Sequence, residues 1–490
     1  MSILAIDAGT TGVTAVVVST EGHITAKGYQ EFRQHFPRPG WVEHSAEEIW
    51  QATLEATREV LAQVDQSELT AIGITNQRET VVLWDRETLS SPRRAIVWQD
   101  RRTADICTRL RDEGHEQRVT ELTGLRLDPY FSGTKLMWLA EHEPHTWALV
   151  QSGRYAVGTV DSYLIARMTR GTWHVTDVSN ASRTLLLDLE AGEWSDELCS
   201  LFGVPRDALP DLVPNWGEVA PSDPAVFAGL SLPIAGIAGD QQSALFGQTC
   251  FAEGESKCTY GTGSFILTNT GTTVVRSEAG LLSTAAWRSP EGETTYALEG
   301  AIFVTGAAVQ WLRDGLQIVG SAEETAAIAA TVPDTDGVVF VPALTGLGAP
   351  HWDPHARGTI LGITRGTTRA HLVRATLEAI AFEVRDVLET MPEAAAVRVD
   401  GGAAANDLLC QLQADQVGLP VERPKIVETT ALGAAFLAGL GTGAWSSTDD
   451  LRETWALDRR FEPTGDREAH EASYRRWTAA VERAKGWAEV

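Results

Sequence analysis

The chain opens with ILAIDAGTTGVTAVVV, residues 3–18, and half a chain later carries KCTYGTGSFILTNTG, residues 257–271. Each reads as an apolar strand, a turn of glycine and threonine, and a second strand. The first could be a surface hairpin with Asp7 in its bend. It could also be a phosphate hairpin, because glycines let backbone N–H groups approach an anion and the Thr10 and Thr11 hydroxyls add donors. Asp7 would then face the metal that accompanies phosphates. No Gly-Lys-Ser/Thr closes the turn, so a P-loop is excluded. Two similar halves, each opening on such a hairpin, could face one nucleotide from both sides. Chance likeness of two hairpins is the alternative.

Strand and helix signals alternate between and beyond the hairpins, which makes the class α/β. Residues 45–64 read as a helix with Ser45 and Glu48 as a capping box. AIGITNQRETVVLWD, residues 71–85, reads as strand, polar bend, strand. LPIAGIAGDQQSALFG, residues 232–247, reads as strand, glycine turn and a helix opening near Gln241. Residues 368–390 place Leu372, Val373, Leu377, Ile380, Ala381, Val384 and Leu388 at helical spacing. VRVDGG is strand and turn, and TTALGAAFLAGLGTG is an Ala-rich helix ended by glycine. The boundary between halves is expected near residues 247–254, giving domains 1–248 and 249–490.

The 490 residues carry a net charge of −26 with 43% hydrophobic residues, an ordinary globular balance. So acidic a surface argues against nucleic acid and anionic membranes as partners. Five cysteines without a C-x-x-C pattern fit reduced, buried thiols and no zinc site. No signal peptide or membrane-spanning run is evident, so a cytoplasmic protein is expected.

Asp240 follows an apolar strand and precedes a helix, where ligands sit in α/β sheets. There it could take a proton from a hydroxyl nucleophile, or simply cap the helix. Arg78 and Glu79, in the bend after a strand, could bond vicinal hydroxyls of a polyol. Neighbours in sequence point apart and rarely bond each other, and a solvated turn is the plainer reading. Trp98, Tyr130 and Phe265 read singly as core aromatics. Asp400-Gly401-Gly402 offers a side-chain-free wall for an adenosine, with Asn406 opening the next helix.

In order along the chain, DAGTT, PGWVEHSAEEIW, GITNQRET, AIVWQDRR, DPYFSGTK, NASRT, GIAGDQQSALFG, TYGTGSF, ALEGAIF, TGLGAPHWDPHARG, VDGGAAAN and TALGAAFLAG resemble the motifs of the FGGY carbohydrate kinases. ITNQRET, PGWVEH and GLGAPHWDP are most similar to the glycerol-phosphorylating branch. The resemblance covers nearly the whole chain. It implies two actin-like (ribonuclease H-like) domains flanking an ATP cleft, with ATP and Mg2+ as cofactors, glycerol as substrate and a homodimer or homotetramer. Arg78, Glu79, Tyr130, Asp240 and Gln241 would hold the glycerol hydroxyls, Trp98 and Phe265 would cover its carbons, and Asp240 would be the base. Thr10, Thr11, Gly12 and Thr262 would meet phosphates. Gly306, Gln310, Gly402 and Asn406 would line the nucleotide, and Asp7 with Asp240 would serve the metal. Two positions depart from the family's usual opening: Ala8 stands for glutamine and Thr14 for an arginine that adds charge beside the transferred phosphate. A kinase of another small polyol or ketose is the first alternative. A non-catalytic actin-like nucleotide switch is the second.

Overall fold

The computed structural model describes residues 1–489. Two mixed sheets organise it. The first comprises β1 (Ser2–Ala8), β2 (Gly12–Ser19), β3 (Ile24–Glu31), β4 (Leu69–Asn76), β5 (Trp216–Pro221) and β6 (Pro233–Gly239), in the order β3-β2-β1-β4-β6-β5. The second comprises β7 (Ser256–Tyr260), β8 (Ser264–Gly271), β9 (Leu282–Arg288), β10 (Thr294–Ile302), β11 (Val397–Asp400), β12 (Val421–Pro424) and β13 (Leu457–Phe461), in the order β9-β10-β8-β7-β11-β12-β13.

Five strands of each sheet share one topology; β9 is an added edge strand, and at the opposite edge β5 precedes β6 in the chain whereas β13 follows β12. β1 pairs antiparallel with β2 and parallel with β4, as β7 does with β8 and β11. β6 then adds parallel to β4, and β12 to β11, and each sheet ends on an antiparallel strand. The half-chain echo in the sequence is therefore a repeat of architecture. β1 is buried along almost its whole length, as expected for a strand covered on both faces.

Helix α1 (Ala46–Leu61) packs over β2 and β3. Ser45 accepts from the Glu48 N–H at 3.3 Å, but only this half of the expected capping box forms. The Glu48 carboxylate instead lies 3.6 Å from His35. Helix α2 (Asp240–Gly247) begins one residue earlier than the sequence suggests. The long helix α3 (Arg369–Leu388) falls where its apolar spacing places it. The five cysteines are buried and free, and no helix among the described residues is long and apolar enough to cross a membrane.

The Ala-rich helix α4 (Thr429–Gly441) belongs to the second half of the chain yet packs on β1, β4, β6 and α2 of the first. It is apolar all round because it is covered all round. Its approach is close: a β-carbon on Gly73 would stand 2.1 Å from the Ala434 carbonyl oxygen. One on Gly433 would stand 1.8 Å from the Ser243 carbonyl oxygen. These glycines let backbone pass against backbone, and the resulting core joins residues of both halves, among them Ile3, Ala235, Phe246, Trp287 and Phe436.

Gly73→Ala is expected to push α4 off the first sheet and cost about 1–3 kcal/mol, the usual range for overpacking. Urea unfolding of the purified variant measures this directly, and the wild-type midpoint would contradict the packing described.

Candidate active site

The tips of the two hairpins are exposed at Thr11 and Thr262. The first tip is braced from below. The Gln34 amide donates to the Thr10 carbonyl at 2.6 Å, and the Gln77 amide to the Gly9 carbonyl at 2.9 Å. Buried His44 bonds Gln34 and lies 3.3 Å from Gln77, with burial and nearby His35 pushing its pKa down to about 3. It is thus a neutral strut, which gives PGWVEH and ITNQRET a shared structural task. Gly12 has a packing reason of its own, since a β-carbon there would meet the Gln30 carbonyl oxygen at 2.7 Å. The second tip is held by N–H groups of Thr305, Gly306 and Ala307 bonding to carbonyls of Gly261 and Thr262 at 2.9–3.0 Å.

Trp98 joins the hairpins. Its indole N–H donates to the Thr10 hydroxyl at 3.0 Å, and its ring lies 6.2 Å from that of Phe265 on β8. Tyr130 lies 5.7 Å from it on another side. The three aromatics converge as edge-on contacts, the favoured geometry for such rings.

Beneath them is a network of buried charges. Arg78 engages the four N–H donors of its two terminal nitrogens: one nitrogen meets Glu299 at 2.5 Å and Gln242 at 3.1 Å, and the other meets Tyr130 at 3.1 Å and Glu299 at 3.2 Å, while Nε lies at an ion-pair distance of 3.1 Å from Asp240. Arg183 donates to Glu79 at 2.8 Å and to Glu299 at 2.7 Å. Arg78 Nε also lies 3.8 Å from Glu79, an ion-pair distance beyond hydrogen bonding. The backbone of Glu79 is left-handed, with φ of 61°. A left-handed non-glycine residue is strained by about 1–3 kcal/mol, and such strain persists where the surroundings over-determine it. The polar bend is therefore no solvated turn: Arg78 and Glu79 are 2% and 1% exposed.

Burial pushes Glu79 upward, opposed by Arg78 and Arg183. It also acts to raise Glu299, but the same two arginines hold Glu299 below the usual carboxylate range. Asp240 is a quarter exposed, accepts the Gln241 N–H at 2.7 Å, and is raised by burial against the pull of Arg78 and Lys257. It occupies the first turn of α2, with Gly239 as the residue before it. Buried Lys257 donates to Gln241 at 2.5 Å and Thr259 at 2.8 Å, its pKa lowered by burial against Asp400 and Asp240.

Asp7 is raised to about 7, first by burial and then by the charge of Asp240. Two acceptor-only carboxylates that repel each other suit a hard cation, and Mg2+ commonly takes one or two carboxylates and fills the remaining positions with phosphates and water. Among the described residues no set of three or more metal-type ligands exists. Thr14 pairs directly across from Asp7, so no cation stands at that cross-strand position.

On the second sheet, Gly306 opens a one-turn helix (Gly306–Gln310) against the hairpin tip, and Gln310 is exposed at its end. Gly401 has φ of 83° and lies against Tyr260, so its glycine is a backbone requirement. Gly402 is different: it is exposed and a β-carbon there would meet nothing within 4 Å. Asn406 caps the following helix through the Leu409 N–H at 3.1 Å and donates to Thr325 at 3.2 Å.

The residues not singled out from the sequence are Arg183, Lys257 and Glu299. Each lay inside a motif, NASRT, KCTYGTG and ALEGAIF, but nothing local marks a charge as buried.

The family model for the N-terminal domain of the FGGY family of carbohydrate kinases matches residues 2–247, and that for the C-terminal domain matches 256–442. The chain belongs to the FGGY family of carbohydrate kinases. It is 52% identical to a glycerol kinase of Bordetella parapertussis over 99% of this chain and 97% of that one. It is 50% identical to glycerol kinase 2 of Thermotoga maritima over 99% of both chains. The structure of Plasmodium falciparum glycerol kinase with ADP superposes with a TM-score of 0.90 at 35% identity, covering 99% of this chain and 98% of that one. A xylulose kinase of Lactobacillus acidophilus shares the fold with a TM-score of 0.87 at 22% identity, over 98% and 97% of the two chains.

Two outcomes are expected of this FGGY kinase. Gly402→Ala should leave the melting temperature unchanged, since its β-carbon meets nothing within 4 Å; a nucleotide lying against it would show as a several-fold higher KM for ATP in steady-state kinetics. Asp7 binds its proton more tightly folded than unfolded, so stability falls as pH rises from its usual value of 3.8 through about 7. Asp7→Asn should therefore melt higher than wild type at pH 8 without Mg2+, with the gain gone near pH 4, as scanning calorimetry would record.

Proposed function

We propose that the chain phosphorylates glycerol at a terminal hydroxyl with ATP, giving sn-glycerol 3-phosphate. The observation that carries the reading is the partly exposed Asp240 carboxylate, held by Arg78 among buried charges and close enough to Asp7 to raise its pKa. Glycerol has little apolar area, so its recognition depends on charged hydrogen bonds of the kind this network offers, each contributing roughly 1.5–3 kcal/mol. Glu79, Arg78, Tyr130 and Gln241 position the hydroxyls, with Trp98 and Phe265 against the carbons. Glu79 is the acceptor, since its carboxylate is shared with fewer donors than that of Glu299.

The terminal oxygen forms a bond to the γ-phosphorus as the bond to the bridging oxygen breaks, and ADP leaves. The hydroxyl proton passes to Asp240. Such transfer rests on positioning and on neutralising charge more than on covalent chemistry. Thr10, Thr11, Gly12 and Thr262 offer backbone and hydroxyl donors to the phosphates from both hairpins. Gly306, Gln310, Gly402 and Asn406 line the nucleotide. Asp7 and Asp240 would hold Mg2+, which neutralises phosphate charge when bound. The approach of the two sheets keeps water from the γ-phosphate.

A kinase of the xylulose type shares the fold, so substrate choice is the point to test. An ADP-release assay across glycerol, erythritol, D-xylulose and D-ribulose is expected to give a kcat/KM for glycerol at least about 100-fold above the others, because a misfitting substrate leaves buried polar groups of the site unpaired. Higher turnover of a ketose would replace this reading, and turnover of none would favour a nucleotide switch.

A further inference from the structure

Asp177 is buried, and neither the kinase reading nor the motifs assign it a task. It caps the short helical turn Val178–Ala181. Its bonds extend well beyond a cap. One oxygen accepts from the Ser179 N–H at 2.6 Å, from the Ser179 hydroxyl, and from the Asn215 amide at 2.8 Å. The other accepts from the Asn180 amide at 2.7 Å.

Each partner continues to the site. Because the Ser179 hydroxyl proton is spent on Asp177, its lone pairs face outward, and one accepts the Gly239 N–H at 2.9 Å. Gly239 is the residue directly before Asp240. Asn180, oriented by Asp177, pairs amide to amide with Asn76 at 3.0 and 3.1 Å. Asn76 ends β4 and opens the bend that presents Arg78 and Glu79. Asn215 donates to the Ile237 carbonyl on the same strand as Gly239, at 2.9 Å.

We propose that Asp177 is a positioning residue for phosphoryl transfer, fixing the base Asp240 through Ser179 and the polyol-binding bend through Asn180. The physical reason is the sense of the bonds. Every group hydrogen-bonded to Asp177 is a donor, so only an acceptor on both branches orients Ser179 and Asn180 together. With asparagine at this position, one branch would face donor to donor. A hydroxyl or an amide left buried without its partner then relaxes, and the backbone it held moves with it. Misplacing a reacting group by about 1 Å costs on the order of 100-fold in rate.

The inference rests on the kinase reading but makes a separable claim, that the two branches affect different constants. Wild-type turnover is measured first, and whichever polyol is preferred is used throughout. Ser179→Ala is expected to lower kcat about tenfold or more while KM for the polyol changes less than threefold, because only the support of Asp240 is lost. Asn180→Ala is expected to raise KM for the polyol by more than it lowers kcat. Asp177→Asn should do both, with ATP affinity by calorimetry within twofold of wild type in all three. If Asp177→Asn fails to fold, the Ser179 and Asn180 variants alone decide the matter. A Ser179→Ala enzyme with kcat within twofold of wild type overturns the inference. So do variants in which kcat, polyol KM and ATP affinity decline together with the melting temperature, which marks a merely structural role.

Discussion

The arrangement turns on the contact between Arg78 of the first sheet's bend and Glu299 of the second sheet. The pair is bidentate and fully buried, and Arg183 shares the same carboxylate. Arg78 and Arg183 also meet Asp240 and Glu79 within the first half, but Glu299 takes these hydrogen bonds across the halves. Removing one partner of a buried pair costs about 3–5 kcal/mol, because the other is left uncompensated. The interaction is thus less a source of stability than a constraint on geometry. It sets where Arg78 stands, and Arg78 in turn fixes Asp240 and Tyr130. The helix that the second half lends to the first sheet, with Gly73 and Gly433 in backbone contact, brings the halves close enough for this network to close.

The cluster also explains why the site can be both charged and firm. Guanidinium groups keep their charge when buried and present donors in a fixed fork, which suits carboxylates on two sides. Lys257 and Arg78 draw Asp240 back toward the ionised form that a base requires, against the desolvation that raises it. Asp7 faces Thr14 across the strand, and burial and the charge of Asp240 raise its carboxyl. A cation beside it would reverse that shift.

Much of this was legible in the sequence. The two hairpins, the strand before Asp240 and the helix at residues 369–388 are local patterns, set by period and by glycine. Their repetition matches the five strands that the two sheets share. What was not legible depends on contacts between residues far apart. Arg183 and Glu299 lie 116 positions apart, and Asn76 and Asn180 lie 104 apart. A charge in an apolar strand such as Glu299 has no local signature that separates a buried ion from an exposed one. The bend at Arg78 and Glu79 reads as a solvated turn, and neither its burial nor the left-handed backbone of Glu79 has a signature in the local sequence. Gly12 and Gly402 look alike in sequence, yet one makes room for protein and the other borders open space.

The central claim is that Asp240, held by this network, takes the proton as the phosphoryl group moves. Rapid-quench measurement of γ-phosphoryl transfer from bound ATP to bound glycerol, in wild type and Asp240→Asn, tests it most directly. The account predicts transfer slowed at least about 100-fold in the variant, the scale of a positioned general base, with both ligands still bound. Transfer within a few-fold of wild type would contradict it.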